Sequence, residues 1–228
     1  MALLGKGAMT LWFDIEGCEP ADHDHWHTHE HLVERLSIPG FLRGSRWVAS
    51  NGSPRYFVLY EVADIGVLQS DAYLDRLNHP SPWTTKMMPH YRGMTRGLCR
   101  VVASRGAGMG RCALTLRFSP ASGKAQHLDT WISSALLPLL AAKPGICGAH
   151  LLESALTAAL TREQEIRGRD QPVDRVLFVT AYAEDALAAL EGAELRVEAL
   201  HAQGVAPGFR AHRSGIGACL TAAEVDPA

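Results

Sequence analysis

The segment IPGFLRGSRW, Ile38 to Trp47, is matched in character by KPGICGAHLL, Lys143 to Leu152. Each carries a Pro-Gly that ends a helical stretch and leads into the next strand. Upstream of the two stretches lie MTLWFDIEG (Met9 to Gly17) and CALTLRFSP (Cys112 to Pro120), both apolar and β-rich. Downstream lie PRYFVLYEVAD (Pro54 to Asp64) and DRVLFVTAYAED (Asp174 to Asp185), Val/Tyr/Phe/Leu-rich runs of strand length opened by an Arg. A helix is predicted after each, roughly Val67 to Asn78 and Ala186 to Gln203. The basic strands RGLCRVVAS and FRAHRSGIGACL then close each half.

Both halves therefore read β-α-β-β-α-β, the split βαβ or ferredoxin-like order. One such unit lays two helices on one face of a four-stranded antiparallel sheet and leaves the other face in need of a partner. Two tandem units can cover each other. The sequence thus predicts an α+β fold of two ferredoxin-like repeats forming a dimeric-type α/β barrel. The first repeat is expected over 8–104, a linker over 105–111 and the second repeat over 112–222. The linker lies within the Gly-rich SRGAGMGR (Ser104 to Arg111), which does not spell a dinucleotide motif. LTAALTREQEIRGRDQP, Leu156 to Pro172, reads as a charged insertion in the second half.

Composition removes several classes. The chain has 228 residues with a net charge of −2, so no field draws it to nucleic acid or an anionic membrane. Five cysteines (Cys18, Cys99, Cys112, Cys147, Cys219) never form a C-x-x-C pair, which fits a reducing cytosol better than a disulfide framework. MALLGKGAMTLWFDIEG is too short in apolar residues for a signal peptide, and no run approaches the roughly 20 apolar residues of a membrane span. The expectation is a cytoplasmic protein whose partner is a small-molecule ligand, without nucleic acid or membrane, and compatible with a homodimer.

Several motifs also agree in order with a known family. W-x-x-x-E-H-L-x-E-R-L-x-x-P-G-F (Trp26 to Phe41), then Arg46-Trp47, G-x-P-R-Y-x-x-L-Y-E (Gly52 to Glu61) and HPSPWTTKMMPHYRG (His79 to Gly93), resemble EthD-like proteins of the dimeric α/β-barrel superfamily. The resemblance covers about residues 9 to 104; the later half matches through element order and Pro-Gly alone. It implies a pocket between sheet and helices for a small organic ligand, with the His of the E-H pair, His31, beside it. Superfamily chemistry spans cofactor-free monooxygenases, isomerases and haem-handling enzymes. Val33 stands where the pattern has Pro after E-H-L, which suggests a helix running smoothly past His31.

DHDHWHTHEH, Asp22 to His31, packs five histidines around Trp26. Asp22 or Asp24 suits the helix N-cap. At about 100° per residue, Leu32, Val33 and Leu36 share a stripe with Trp26. That wheel turns His25 and His29 inward, and His23, His27 and His31 away. His25 with His29, or His27 with His31, has the i, i+4 spacing of paired metal ligands. H-T-H-E-H is not H-E-x-x-H, however, and a third ligand from His79, His90 or His127 cannot be read from sequence. For His31 the wheel and the resemblance disagree.

The leading expectation is an enzyme performing proton transfer or cofactor-independent oxygenation on an apolar compound, with no cofactor. His31 or His29 would accept the proton, Arg46 or Arg55 would hold an oxyanion, and Trp26, Tyr56, Tyr60, Trp83 and Tyr91 would line the pocket. SPWTTKMMPHY reads as a Pro-broken loop or short turn that caps the cavity, seals a barrel end or supports an oligomer contact. Alternatives are a non-catalytic ligand-binding or stress-responsive protein, and a divalent-metal protein using His25 and His29.

Overall fold

A computed structural model describes residues 3–49, 52–157 and 160–225. Two residues of the N-terminal run, and 158 and 159 within the charged insertion, lie outside those described. The strands are β1 (Gly7–Ile15), β2 (Phe41–Val48), β3 (Tyr56–Val62), β4 (Tyr91–Gly106), β5 (Cys112–Phe118), β6 (Ile146–Leu156), β7 (Gln171–Pro172), β8 (Arg175–Ala181) and β9 (Arg210–Thr221). The helices are α1 (Pro20–Trp26), α2 (Leu32–Leu36), α3 (Asp71–Asn78), α4 (Pro82–Met87), α5 (Ala125–Trp131), α6 (Leu137–Ala141), α7 (Arg162–Arg167), α8 (Glu184–Glu191) and α9 (Val197–Ala202). Five-residue π-turns, His27–His31 and Ile132–Leu136, join α1 to α2 and α5 to α6.

The chain divides into two compact units. The histidine-bearing unit comprises Leu4–Cys99, Ala155–Pro172 and Gly217–Ala228. In it β3 lies antiparallel between β1 and β2, β1 also pairs with β4, and β7 adds two parallel residue pairs beside β4. In the other unit (Met1–Leu3, Arg100–Ser154, Val173–Ile216), β8 lies antiparallel between β5 and β6, and β5 pairs with β9. The charged insertion, read as a feature of the second half, thus packs with the first unit and brings α7 with it. β4 continues to Gly106, so residues 105 and 106 are strand.

Each unit buries its own core. Met9, Phe13, Trp26, Leu32, Tyr60, Tyr73 and Met94 belong to one; Leu114, Leu128, Leu137, Leu151, Leu177 and Leu190 belong to the other. Both Pro-Gly turns use a left-handed glycine, Gly40 at φ 93° and Gly145 at φ 90°. Added Cβ atoms there would meet a Val67 methyl at 2.5 Å and the Ala186 Cβ at 2.4 Å, so both space and backbone demand glycine.

Four local expectations change. The helix over 67–78 is a 3-10 turn (Ile65–Gln69) followed by α3, and the one over 186–203 breaks into α8 and α9. SPWTTKMMPHY is not a loop but α4 plus a 3-10 turn. Pro82 opens the helix where its missing N–H costs nothing, and the Ser81 Oγ accepts from the Thr84 N–H at 2.9 Å. Finally, α1 starts before both aspartates, at Pro20 after Glu19, and no side chain caps it.

Candidate functional site

The histidine helix is inverted relative to the α-helical wheel. His23, His27 and His31 are buried, at 0, 2 and 7% exposure, while His25 and His29 are exposed. The π-turn is the cause. Its wider ring sends the Leu32 N–H to the His27 carbonyl, adding a residue to the turn. In an α-helix four residues overshoot a full circle by roughly 40°. In the wider turn they come closer to alignment, so His23, His27, His31 and Arg35 form one inward row. Val33 does not carry the helix smoothly past His31; the turn just before it is π.

Trp26 donates its indole N–H to the Glu30 Oε1 at 3.0 Å. The same oxygen accepts from Ser81 at 2.6 Å and Thr84 at 3.3 Å. The Trp and Glu of W-x-x-x-E are therefore an i, i+4 tie that fixes the π-turn against α4. The adjacent His31 is left to face the interior, its ring 4.6 Å from that of Trp26.

A cavity opens beside this row. Its enclosed volume is about 30 Å³, inside a void of about 400 Å³ that includes its mouth. Met9, Leu11 and Phe13 of β1, Val58 and Tyr60 of β3, and Tyr73 and Leu77 of α3 form apolar and phenolic walls. Met88, Tyr91, Met94 and Arg96 continue the lining towards and along β4. His27, His31 and Arg35 come from the π-turn and α2, and Glu163 and Arg167 from α7.

Arg35 and Glu163 form a buried ion pair across 128 residues of sequence. Burial works against the Arg35 charge, but the Glu163 carboxylate outweighs it and raises the guanidinium pKa further. Asp170 holds Arg167, with one N–O distance of 3.2 Å, and Arg96, at 2.7 Å. Burial, followed by neighbouring positive charge, pushes the His27 and His31 pKa values well down; for His31 the nearby charge is chiefly Arg35. Both rings are therefore neutral near neutral pH. Burial pushes the Tyr60 and Tyr91 hydroxyls up, so both stay protonated. The His27 Nδ1, His31 Nδ1, Arg35 Nη1 and Tyr60 hydroxyl are buried without hydrogen-bond partners.

A second line of contacts runs behind the cavity. The His23 Nδ1 lies 3.1 Å from the Asp24 carboxylate and its Nε2 lies 3.3 Å from the Tyr91 hydroxyl. Burial lowers the His23 pKa despite the opposing Asp24 bond. A neutral ring that donates from Nδ1 to Asp24 and accepts at Nε2 from Tyr91 satisfies all three groups. Burial disfavours the Asp24 charge, yet His23 and Arg46 lower its pKa overall. Arg46 Nη1 donates to the Asp24 carbonyl at 3.1 Å and the Thr28 hydroxyl at 3.0 Å.

Of the residues singled out in the sequence, His31, Tyr60 and Tyr91 meet at this cavity. Trp26 packs behind His31, and Tyr56 stacks on Phe13 at 5.2 Å and meets the His23 ring, tilted, at 4.5 Å. Arg46 holds Asp24 and is outside the lining. Arg55 places its guanidinium over the Tyr56 ring, 5.7 Å from the centroid. Trp83 packs 5.5 Å from His25. His29 points outward, its Nδ1 donating to the His25 carbonyl at 2.9 Å. Among the described residues no three His, Cys, Asp or Glu side chains converge as metal ligands. His79 and His90 are engaged with Asp75 and the Glu16 carbonyl.

Arg35, Arg96, Glu163 and Arg167 were not singled out, and His27 was read only as an outward-facing residue at i, i+4 from His31. The i, i+4 row from His23 to Arg35 was a usable signal for two of them. None exists for α7, which no local pattern connects to the helix.

No family model matches the chain, and no curated protein matches it. Solved structures do resemble it. An anthrone oxidase-like protein superposes with a TM-score of 0.68 at 10% identity, covering 98% of this chain and 97% of that one. A monooxygenase candidate from Fusobacterium nucleatum gives 0.59 at 8% identity, covering 96% of each chain. A chlorite dismutase variant from Candidatus Nitrospira defluvii gives 0.56 at 13% identity, covering 94% and 92%. At such identities the likeness shows the fold alone: the chain is similar to dimeric α/β-barrel proteins, mixed α/β with ferredoxin-like topology.

Proposed function

We propose that the chain is a small-molecule enzyme of the EthD-like kind, built from two tandem ferredoxin-like repeats, that removes a proton from an acidic carbon. The observation that carries this is the convergence of two neutral buried imidazoles, His27 and His31, with the Arg35 guanidinium and the Tyr91 hydroxyl on one cavity. His31 accepts the proton while the electron pair stays on the substrate as an enolate. Arg35 and Tyr60 donate to its oxygen, a charge best stabilised where water is excluded. Tyr91, backed by His23 and Asp24, supplies or accepts a second proton; Arg46 is a positioning residue for Asp24. With dioxygen as co-reactant, a methylene would become a carbonyl, one oxygen atom entering the product and the other leaving in water. The oxidase and monooxygenase names of the neighbours support this route.

The repeat reading is supported by parallel detail in the two units. Each has a helix interrupted by a five-residue π-turn, a Pro-Gly and a strand with an early bulge, between Phe41 and Arg43 or Ile146 and Gly148. The reading extends to a homodimer, which light scattering checks, and to a cytoplasmic protein. Among the described residues no helix is long and apolar enough to cross a membrane.

The test follows deuterium uptake into pyruvate and 2-oxobutyrate, and dioxygen uptake with 2-oxobutyrate, whose methylene is the site of the oxygenation step. Exchange or uptake above buffer, falling about 10²–10⁴-fold in His31→Ala, supports the reading. Buffer-level rates throughout, or equal rates in the variant, would leave a ligand-binding protein in its place.

A further inference from the structure

The charges around the cavity do not cancel. Three guanidiniums line it, from Arg35, Arg96 and Arg167, against one carboxylate, Glu163. Asp170, behind them, brings the carboxylates to two. Its oxygens are already occupied by Arg96 at 2.7 Å, Gln164 at 2.7 Å and Arg167. Glu163 is engaged with Arg35. Because the imidazoles are neutral, one positive charge remains under protein, and an uncompensated buried charge is costly. The Arg35 Nη1 and the Tyr60 hydroxyl, on residues 2% exposed, have no partner and can both donate.

The size of the space narrows the ligand. A water needs roughly 10–15 Å³ of such room, so about 30 Å³ takes roughly two or three water-sized groups. A carboxylate has that size. Met9, Met88 and Met94 offer adaptable apolar contact to a short chain beyond it. We infer that the cavity is a site for a short-chain organic monoanion of the 2-oxo acid kind, whose carboxylate oxygen and adjacent carbonyl oxygen share the Arg35 and Tyr60 donors beside His31. This rests on the reading of the same cavity as the functional site, and assigns its substrate class.

Binding is measured by calorimetry and thermal shift with acetate and 2-oxobutyrate, against acetamide and chloride at matched ionic strength. Saturable binding of the two carboxylates alone is expected, weakened at least 10-fold in Arg35→Gln. Glu163→Gln removes the competing carboxylate and is expected to tighten acetate several-fold, an effect that damage to the fold would not produce. If Arg35→Gln does not fold, Arg167→Gln replaces it, with weaker binding expected. Equal binding of acetamide or chloride, or weaker acetate binding in Glu163→Gln, overturns the inference. Acetate binding requires no proton abstraction. Carboxylate binding without exchange chemistry therefore upholds this inference and removes the enzyme reading, whereas exchange chemistry without carboxylate preference does the reverse.

Discussion

His23, His27 and His31 stay uncharged inside the protein, whereas in the unfolded chain they titrate near 6.5. Their folded pKa values are lowered, so below about pH 6.5 the unfolded state binds protons that the native state refuses. Stability is full above that pH and is lost as pH falls towards the folded pKa values. Each histidine contributes at most roughly 1.4 kcal/mol per pH unit. Urea unfolding at pH 7.5 and 5.5 is expected to show this loss, and His27→Leu to make it shallower. Glu30 is a different kind of residue. Glu30→Ala strips the acceptor from Trp26, Ser81 and Thr84 and is expected to cost about 2 kcal/mol in the same measurement. Glu30→Gln, which keeps an acceptor, is expected to lose less.

At the level of elements, the two π-turns invite a direct comparison. In the second unit α6 begins Leu137-Pro138, with the proline in its first turn. In the first unit α2 begins Leu32-Val33 at the matching place, and its π-turn persists without the proline. Val33→Pro is therefore expected to shift the melting temperature by only a few degrees and to leave near-UV circular dichroism unchanged. Proline at Glu34 is expected to cost about 3 kcal/mol, as in any helix interior. Strand, helix and Pro-Gly order was readable because periodicity and turn residues are local signals. The facing of the histidines was not, since one added residue in a turn leaves no mark in composition. The wheel also treated polar residues as outward, whereas here ring packing and an ion pair offset the desolvation.

Across the whole chain, the wall that completes the cavity comes from a segment far along the sequence. Glu163→Ala would leave Arg35 charged and buried, and is expected to destabilise by about 3–5 kcal/mol. The joint replacement Arg35→Met with Glu163→Met is expected to be near neutral or stabilising, as urea unfolding of wild type, Glu163→Ala and the double variant would show. No reading of the histidine helix alone could have found this pair, because its two ends share no periodicity or spacing. The insertion carries a consequence for ancestry. Histidine row and cavity wall are written in separate stretches of the gene, so one can be exchanged while the other is inherited intact. A lineage could keep its histidine row and gain a differently shaped and charged cavity wall by trading about one short helix.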